Sequence, residues 1–196
     1  MTVQSRQLVL ASTSRYRKAL LERLGLAFEV ASPHVDEAAF PSENPAQTAL
    51  RLSASKAKAV QAQFSDALII GSDQVAAMGS ERFGKPGSHE AAARQLRALS
   101  GKAVEFHTAV SLLDARSGSV ESRLVPCRVF FRQLDERRIE SYLRREQPYD
   151  CSASAKAEGL GIALIARIET DDPSSLIGLP LIALTELLER AGLTIL

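Results

Sequence analysis

The stretch IIGSDQV, residues 69–75, carries the aspartate whose position best suits catalysis. Asp73 follows an apolar run and a Gly-Ser pair, and in α/β proteins ligands bind at the carboxyl ends of such strands. A carboxylate there can bind a metal ion or take a proton from water. The alternative is an aspartate that satisfies the backbone of its own turn.

A strand–turn–helix pattern at residues 8–24 offers a second site. Ser12 and Ser14 place hydroxyls just before the predicted helix, and Arg17 and Lys18 add positive charge in its first turn. A helix N-terminus presents free N–H groups and the positive end of the helix dipole, so this set suits a phosphate. The alternative is a serine-capped helix with solvated cations, since the segment is not a glycine-rich P-loop.

The spacing of Tyr16 allows two interpretations. Tyr16 precedes Leu20 by four residues and Leu24 by eight, so helical periodicity can place its ring on the apolar face of the helix. In the other interpretation, the ring contacts a ligand held by the cations around it. Spacing alone favours the first interpretation.

Four further charged residues are candidates for binding a ligand. Glu37, beside Asp36 in a polar loop, can hold Mg²⁺ if a phosphate lies nearby. Lys56 on a predicted helix and Lys85 in the loop GKP can contact phosphate, and Glu158 precedes glycines that permit close approach of a ligand. Each of these residues taken alone is more typical of a solvated surface.

Strands and helices must alternate to bring these residues together. We predict strands at residues 8–11, 27–32, 66–78, 103–114, 119–132 and 162–169. We predict helices at residues 14–24, 45–64, 88–99, 136–146 and 180–191. The third strand is predicted to break at a turn, residues 71–73, and the segment RSGS predicts a hairpin. The alternation indicates an α/β domain with a mixed sheet.

Composition limits the classes of protein to consider. The 196 residues are 45% hydrophobic and 24% charged, and their net charge of +1 argues against a duplex-binding protein. Cys127 and Cys151 form no CxxC pair and no zinc pattern with the three histidines, so we expect two reduced thiols in a cytoplasmic protein. Residues 1–7 lack the apolar core of a signal peptide, and no apolar run approaches the ~20 residues of a membrane helix.

Together, the motifs resemble one protein family. The segments LASTSRYRKALLERLG, VDE, RLSASKAKAV, IIGSDQV, GKP, LRALSG, AEGLG and GLPL are similar to motifs of the Maf family of nucleotide pyrophosphatases, over nearly the whole chain. The resemblance implies a single α/β domain over residues 1–196, similar to inosine triphosphatases, with an elongated mixed sheet flanked by helices and two lobes around a central cleft. It implies hydrolysis of a nucleoside triphosphate to the monophosphate and diphosphate with a divalent cation, Mg²⁺ or Mn²⁺.

The resemblance also implies residue roles. Asp73 matches the catalytic carboxylate, and Glu37 with Asp73 matches the metal site. The phosphate-binding positions are matched by Ser12, Ser14, Arg17, Lys18, Lys56 and Lys85. Lys18 stands where a second arginine is usual, so a bidentate contact becomes a point charge. Arg15 stands where a proline is usual and either adds positive potential at the mouth of the site or faces water.

Three positions distinguish the branches of the family by the base they bind. The branch acting on dTTP and UTP has arginine, threonine and glutamine, whereas the matching residues here are Tyr16, Gln74 and Glu158. This combination resembles the branch acting on 7-methyl-GTP. The chemistry agrees, because a glutamate can accept both N1–H and N2–H₂ of guanine, and a tyrosine ring suits a base that N7 methylation makes cationic.

We therefore expect a house-cleaning hydrolase of phosphorus-containing anhydrides that acts on 7-methyl-GTP. Its expected partner is a small nucleotide, with no nucleic acid and no membrane, and a homodimer is compatible with this interpretation. Two alternatives remain, a dTTP/UTP pyrophosphatase of the same fold and a non-catalytic nucleotide-sensing regulator of septum formation. Asp73 and the set of cations argue against the regulator, because a sensor needs no water-activating base.

Overall fold

The computed structural model describes residues 6–196, so residues 1–5, most of the segment inspected for a signal peptide, lie outside it. Within the described range, the strands are β1 (Leu8–Ala11), β2 (Glu29–Ala31), β3 (Leu68–Met78), β4 (Glu81–Arg82), β5 (Ala103–Asp114), β6 (Val120–Phe131) and β7 (Ile165–Glu169). The α-helices are α1 (Arg15–Glu22), α2 (Pro45–Ala59), α3 (His89–Leu99), α4 (Glu136–Glu146) and α5 (Leu181–Arg190). Short 3₁₀ helices occur at Gln61–Gln63, Ser152–Ser154, Leu160–Leu164 and Pro173–Ile177.

The strands form one mixed sheet in the order β2-β1-β3-β5-β6-β7, with β4 paired to the end of β3. β1 runs parallel to both β2 and β3, and the remaining pairs are antiparallel. This arrangement confirms the predicted α/β class, the mixed sheet and the hairpin between β5 and β6. No helix within residues 6–196 is long and apolar enough to cross a membrane.

Alternation along β3 sends neighbouring side chains into different cores. Leu68 and Ile70 pack with α1 and α5 on one face of the sheet, whereas Ile69 packs with α2 on the other. The far end of the strand, at Ala76, joins a core that includes α3 and α4. Separate cores therefore lie at the two ends of β3, and the middle of that strand lies between them.

The predicted turn at residues 71–73 is wrong. β3 continues through Gly71, and Asp73 pairs with Ala109 of β5 in an unbroken ladder. The glycine serves instead for the close approach of α2, since a Cβ at Gly71 would lie only 2.0 Å from the backbone oxygen of Ser53. A glycine inside a strand marks helix packing here rather than a turn.

The predicted caps lie at the observed helix starts, whereas other predicted element boundaries differ from those in the structure. Asn44 forms a capping box at the start of α2 with Pro45 in the first turn, and Asp135 caps α4. α2 ends at Ala59 and a separate 3₁₀ turn follows, so the predicted helix to residue 64 is too long. The last strand begins at Ile165, because the residues before it form a 3₁₀ helix.

Candidate active site

A cleft of about 660 Å³ opens beside the middle of β3. The N-terminus of α1, one side of α2, β3 and several loops line it. The predicted site residues that the structure brings into this cleft are Ser12, Ser14, Tyr16, Arg17, Glu37, Lys56, Asp73, Gln74, Lys85 and Glu158. Residues from six separate segments of the chain therefore share one cavity, in spite of the wrong turn prediction.

Lys18 lies outside this cleft, on the outer face of α1. Its side chain is 55% exposed, and its ammonium lies 3.8 Å from Glu22 Oε1, one turn farther along the helix. Arg17 faces the cleft instead, because consecutive helical side chains are rotated by about 100° around the axis. We therefore leave Lys18 out of the functional proposal.

Glu37, Lys56 and Asp73 form a group that we call the carboxylate–lysine cluster. The ammonium of Lys56 lies 2.6 Å from Asp73 Oδ1 and 2.6 Å from Glu37 Oε1. The side chains of Lys56 and Asp73 are 6% and 9% exposed, whereas that of Glu37 is 62% exposed. α2 carries the lysine and β3 the aspartate, so the close packing at Gly71 brings the two charges together.

Burial and charge oppose each other at the two carboxyls of this cluster. Burial raises the pKa of Asp73 above its ordinary value, although the charges of Lys56 and Arg17 act to lower it. Partial burial would also raise the pKa of Glu37, but the hydrogen bond and charge of Lys56, together with Lys85 and Arg17, lower it. Divergent pKa values allow two carboxylates to take different roles, one as a proton acceptor and one as a permanent anion.

Arg17 and Ser12 lie at the α1 end of the cleft. The guanidinium of Arg17 donates from Nε to the carbonyl of Gly178 (2.8 Å), and its Nη1 lies 3.5 Å from Ser12 Oγ. Burial lowers the pKa of Arg17, but a guanidinium stays charged in proteins. Ser14 caps α1 by accepting from the N–H of Arg17 (3.4 Å), and the N-terminus of the helix, with the positive end of its dipole, points to this end of the cleft.

Gln74 faces the opposite side of β3 from Asp73. Its Nε2 donates to the carbonyls of Ser175 and Leu176 (2.9 and 3.1 Å) and to Thr108 Oγ1 (3.0 Å). These acceptors determine the orientation of the amide. Gln74 can therefore offer a ligand its oxygen as an acceptor, but not its amino group.

Tyr16 lies on the wall of the cleft, in a group with Arg15, Asp150 and Cys151 that we call the rim cluster. The hydroxyl of Tyr16 donates to Asp150 Oδ1 (3.0 Å) and accepts from Arg15 Nη2 (2.8 Å), which also donates to Asp150 Oδ2 (3.1 Å). Burial raises the pKa of Tyr16, so the hydroxyl stays protonated. Asp150 and Cys151 were not predicted as site residues, because neither belongs to one of the motifs.

Glu158 and Lys85 reach the cleft from exposed loops. Lys85 lies near the carboxylate–lysine cluster, where its charge helps to lower the pKa of Glu37. Glu158 lies near the rim cluster: burial, together with the charges of Asp150 and Glu158, raises the pKa of Cys151 to about 11. This thiol is therefore protonated at neutral pH. Lys85 adds positive charge at one end of the cleft, and Glu158 adds negative charge at the other.

Glu37 and Asp73 are the candidate carboxylate ligands for a divalent metal ion. Within residues 6–196 no group of three or more His, Cys, Asp or Glu side chains is arranged to hold a metal ion. Glu37 and Asp73 do converge on one cation, the ammonium of Lys56. Such a pair suits Mg²⁺, which is usually bound by one or two carboxylates together with substrate phosphates and water.

The sheet, its flanking helices and this cleft define an α/β protein whose polar pocket has the chemistry to hold an anionic ligand. The chain belongs to the Maf family, since the family model described as Maf-like protein matches residues 7–191. This family match agrees with the resemblance found from the motifs.

Relatives with assigned names are similar over the whole chain. A 7-methyl-GTP pyrophosphatase of Thiobacillus denitrificans is 56% identical over 196 residues, which is 100% of this chain and 98% of the relative. A protein of the same name from Cupriavidus pinatubonensis is 52% identical over 95% of this chain and 94% of its own. Among solved structures, a HAM1 protein from Coxiella burnetii aligns with 81% of this chain and 98% of its own, at a TM-score of 0.42 and 15% identity.

Proposed function

We propose that this protein hydrolyses 7-methyl-GTP to 7-methyl-GMP and diphosphate, as a house-cleaning enzyme for a modified nucleotide. The observation that carries the proposal is one cleft that joins the carboxylate–lysine cluster to a rim bearing Tyr16 and Glu158. Membership of the Maf family and the names of close relatives support it. A homodimer and a cytoplasmic location remain predictions from the sequence.

The triphosphate would lie at the α1 end of the cleft. Arg17, Lys56 and Lys85 supply positive charge there, and Ser12 and Ser14 place their hydroxyls beside the N-terminus of α1. A phosphoryl group needs little covalent help from a protein, so this set would act through positioning and charge stabilisation.

We propose a divalent cation, Mg²⁺ or Mn²⁺, as the cofactor. Glu37 and Asp73 would hold it, with phosphate oxygens and water as the other ligands. When bound, the cation would stabilise the negative charge that develops on the phosphates. Lys56 already lies between the two carboxylates and reduces their mutual repulsion.

Asp73 would take the proton of the attacking water. The water oxygen bonds to the α-phosphorus, the bond from that phosphorus to the oxygen bridging to the β-phosphate breaks, and diphosphate leaves. Because burial raises the pKa of Asp73, its carboxylate is a stronger proton acceptor than an exposed aspartate.

The base would be recognised at the rim. Glu158 would accept N1–H and N2–H₂ of guanine, whereas a glutamine offers only one acceptor group. The positive charge on the N7-methylated base would strengthen stacking on Tyr16, worth about 0.5–2 kcal/mol, and the hydrogen bonds to the carboxylate. The fixed amide of Gln74 would add an acceptor.

A panel of nucleoside triphosphates, assayed by diphosphate release with Mg²⁺ and with Mn²⁺, tests the proposal. We expect the highest kcat/KM for 7-methyl-GTP. Faster turnover of dTTP or UTP would contradict the base assignment while leaving the reaction class intact. Tight nucleotide binding with zero turnover of every substrate would contradict the enzyme itself and favour a sensor.

Glu158→Gln tests base recognition separately from the phosphate chemistry. We expect kcat/KM for 7-methyl-GTP to fall about tenfold or more, since a hydrogen bond to a charged group contributes about 1.5–3 kcal/mol. Glu189→Gln, at an exposed position of α5, is the matched control. Unchanged turnover of 7-methyl-GTP by Glu158→Gln would show that Glu158 does not recognise the base.

A further inference from the structure

The hydroxyl of Tyr16 is engaged by its neighbours. It donates to Asp150 Oδ1 at 3.0 Å and accepts from Arg15 Nη2 at 2.8 Å. Cys151 Sγ lies 3.5 Å from this hydroxyl and 3.6 Å from Asp150 Oδ1, so its single hydrogen can serve either oxygen. The single donor of the phenol and at least one of its two acceptor positions are therefore used, and the ring is the part of Tyr16 that is left to contact a bound base.

One side of that ring already carries a cation. Arg15 Cζ lies 4.8 Å from the ring centroid of Tyr16, within the range of a cation–π contact. A second cation brought to the ring would be repelled by this guanidinium. Asp150 removes the repulsion, because its Oδ2 accepts from Arg15 Nη2 at 3.1 Å and balances the charge. An exposed ion pair of this kind adds little to the stability of the fold. The negative charge of Asp150 nevertheless lies close enough to Arg15 to reduce its repulsion of a second cation.

Asp150 lies in a segment that is itself held in place. It precedes Ala153 and Ser154, which both adopt left-handed backbone conformations that non-glycine residues rarely take. Ser154 Oγ donates to Gln95 Oε1 of α3 at 2.6 Å, which anchors the segment. The same segment continues to Glu158, so Asp150 links the α1 side of the cleft to the side that carries the proposed base acceptor.

We propose that Asp150 is a positioning residue for base recognition, which holds the ring of Tyr16 and cancels the charge of Arg15 so that the ring can take a cationic purine. This inference rests on the proposed function, because the cationic purine is the N7-methylated guanine. Asp150 pairs with Arg15, and Glu158 brings a second carboxylate to the same end of the cleft, near Cys151, where it can accept from the base.

The test compares 7-methyl-GTP with GTP, which lacks the methyl group and the positive charge. In Asp150→Asn we expect the ratio of kcat/KM for 7-methyl-GTP to that for GTP to fall about three- to tenfold, through KM rather than kcat. This is the scale of one unbalanced unit charge acting through several ångströms of solvated protein. In the double variant Arg15→Ala/Asp150→Asn the ratio should return to the wild-type range, because the unbalanced charge is gone.

Further variants separate charge from structure. Tyr16→Phe keeps the ring and the Arg15–Asp150 pair but removes the hydroxyl through which Asp150 holds the ring, so its loss of the ratio measures the holding alone and should be smaller than the loss in Asp150→Asn. Asp171→Asn is an exposed control. Equal losses for both nucleotides in Asp150→Asn, or no rescue in the double variant, would overturn the inference. A wild-type protein that fails to hydrolyse 7-methyl-GTP would overturn the proposed function instead. In that case calorimetry would measure the dissociation constants of 7-methyl-GMP and GMP for the same variants. The ratio of these two constants then tests the role of Asp150 without catalysis.

Discussion

At the scale of single residues, Asp73 combines burial with two neighbouring cations. We expect Asp73→Asn to lower kcat for 7-methyl-GTP at least about a hundredfold, since a positioned general base contributes about 10²–10⁴-fold. The fold should survive, because the amide oxygen of an asparagine can still accept from Lys56 and Glu37 still balances the charge of that lysine. Steady-state kinetics and thermal melting measure the two effects.

The pH profile of the wild type gives a second check on Asp73. The base must be ionised, so kcat/KM should fall at acid pH as Asp73 takes up a proton. Burial raises the pKa of this carboxyl, and a divalent cation held by Asp73 would act in the opposite direction. The exposed control Asp171→Asn should keep this profile. An Asp73→Asn variant with wild-type turnover would remove Asp73 as the base, and a collapsed melting temperature would indicate a structural role.

At the scale of elements, the contact between α2 and β3 positions Lys56 against Asp73. A Cβ at Gly71 would lie 2.0 Å from the backbone oxygen of Ser53 and 2.8 Å from the backbone nitrogen of Ala57, so Gly71→Ala must push the helix away. We expect the free energy of unfolding to fall by about 1–3 kcal/mol or more, as overpacking does in other cores. Activity per folded molecule should fall too, because the lysine moves with α2.

Gly84→Ala is the matched control for stability. A Cβ at Gly84 would meet nothing within 4 Å, and this residue lies in a loop rather than under a helix. Denaturant unfolding should therefore show a loss for Gly71→Ala and almost none for Gly84→Ala. Equal stability of the two variants would contradict the role given to the close approach of α2.

The elements also show where sequence patterns predict structure well and where they fail. Asn44, Pro45 and Asp135 predicted helix starts because capping is a local interaction between residues three positions apart. Gly71 misled the prediction, since glycine is typical both of turns and of strands that pack closely against a helix. The helix that requires it starts 26 residues earlier in the chain, and no local pattern reports that contact.

At the scale of the whole molecule, two ion pairs make stability depend on acid pH. The hydrogen bond of Arg51 lowers the pKa of Glu43 to about 2, and that of Arg6 lowers the pKa of Asp114 to about 2. The ordinary values are 4.5 and 3.8, so both pKa values are depressed in the folded state. Each pair therefore stabilises the fold above the ordinary pKa and loses this effect as the pH falls toward about 2.

Glu43→Gln tests this dependence. Its melting temperature should lie below that of the wild type at pH 7, and the difference should close as the pH falls from 4.5 toward about 2, where the wild-type carboxyl also becomes neutral. Glu189→Gln, which is exposed and has no ion pair within the described residues, should follow the wild type throughout. A constant difference across this range would mean that packing, rather than charge, explains the loss.

Local sequence was enough to predict the element types, the mixed sheet and most of the residues that meet in the cleft, because periodicity, capping and family motifs are read from neighbouring positions. Only the tertiary structure decides which of those residues face the cleft and what holds them there. Arg17 turns inward and Lys18 outward, although both carry charge in the same helical turn. Tyr16 meets Asp150, 134 residues away, because the packing of the fold brings their segments together. Such contacts depend on the burial of distant apolar surfaces, and nothing in the residues next to Tyr16 encodes them.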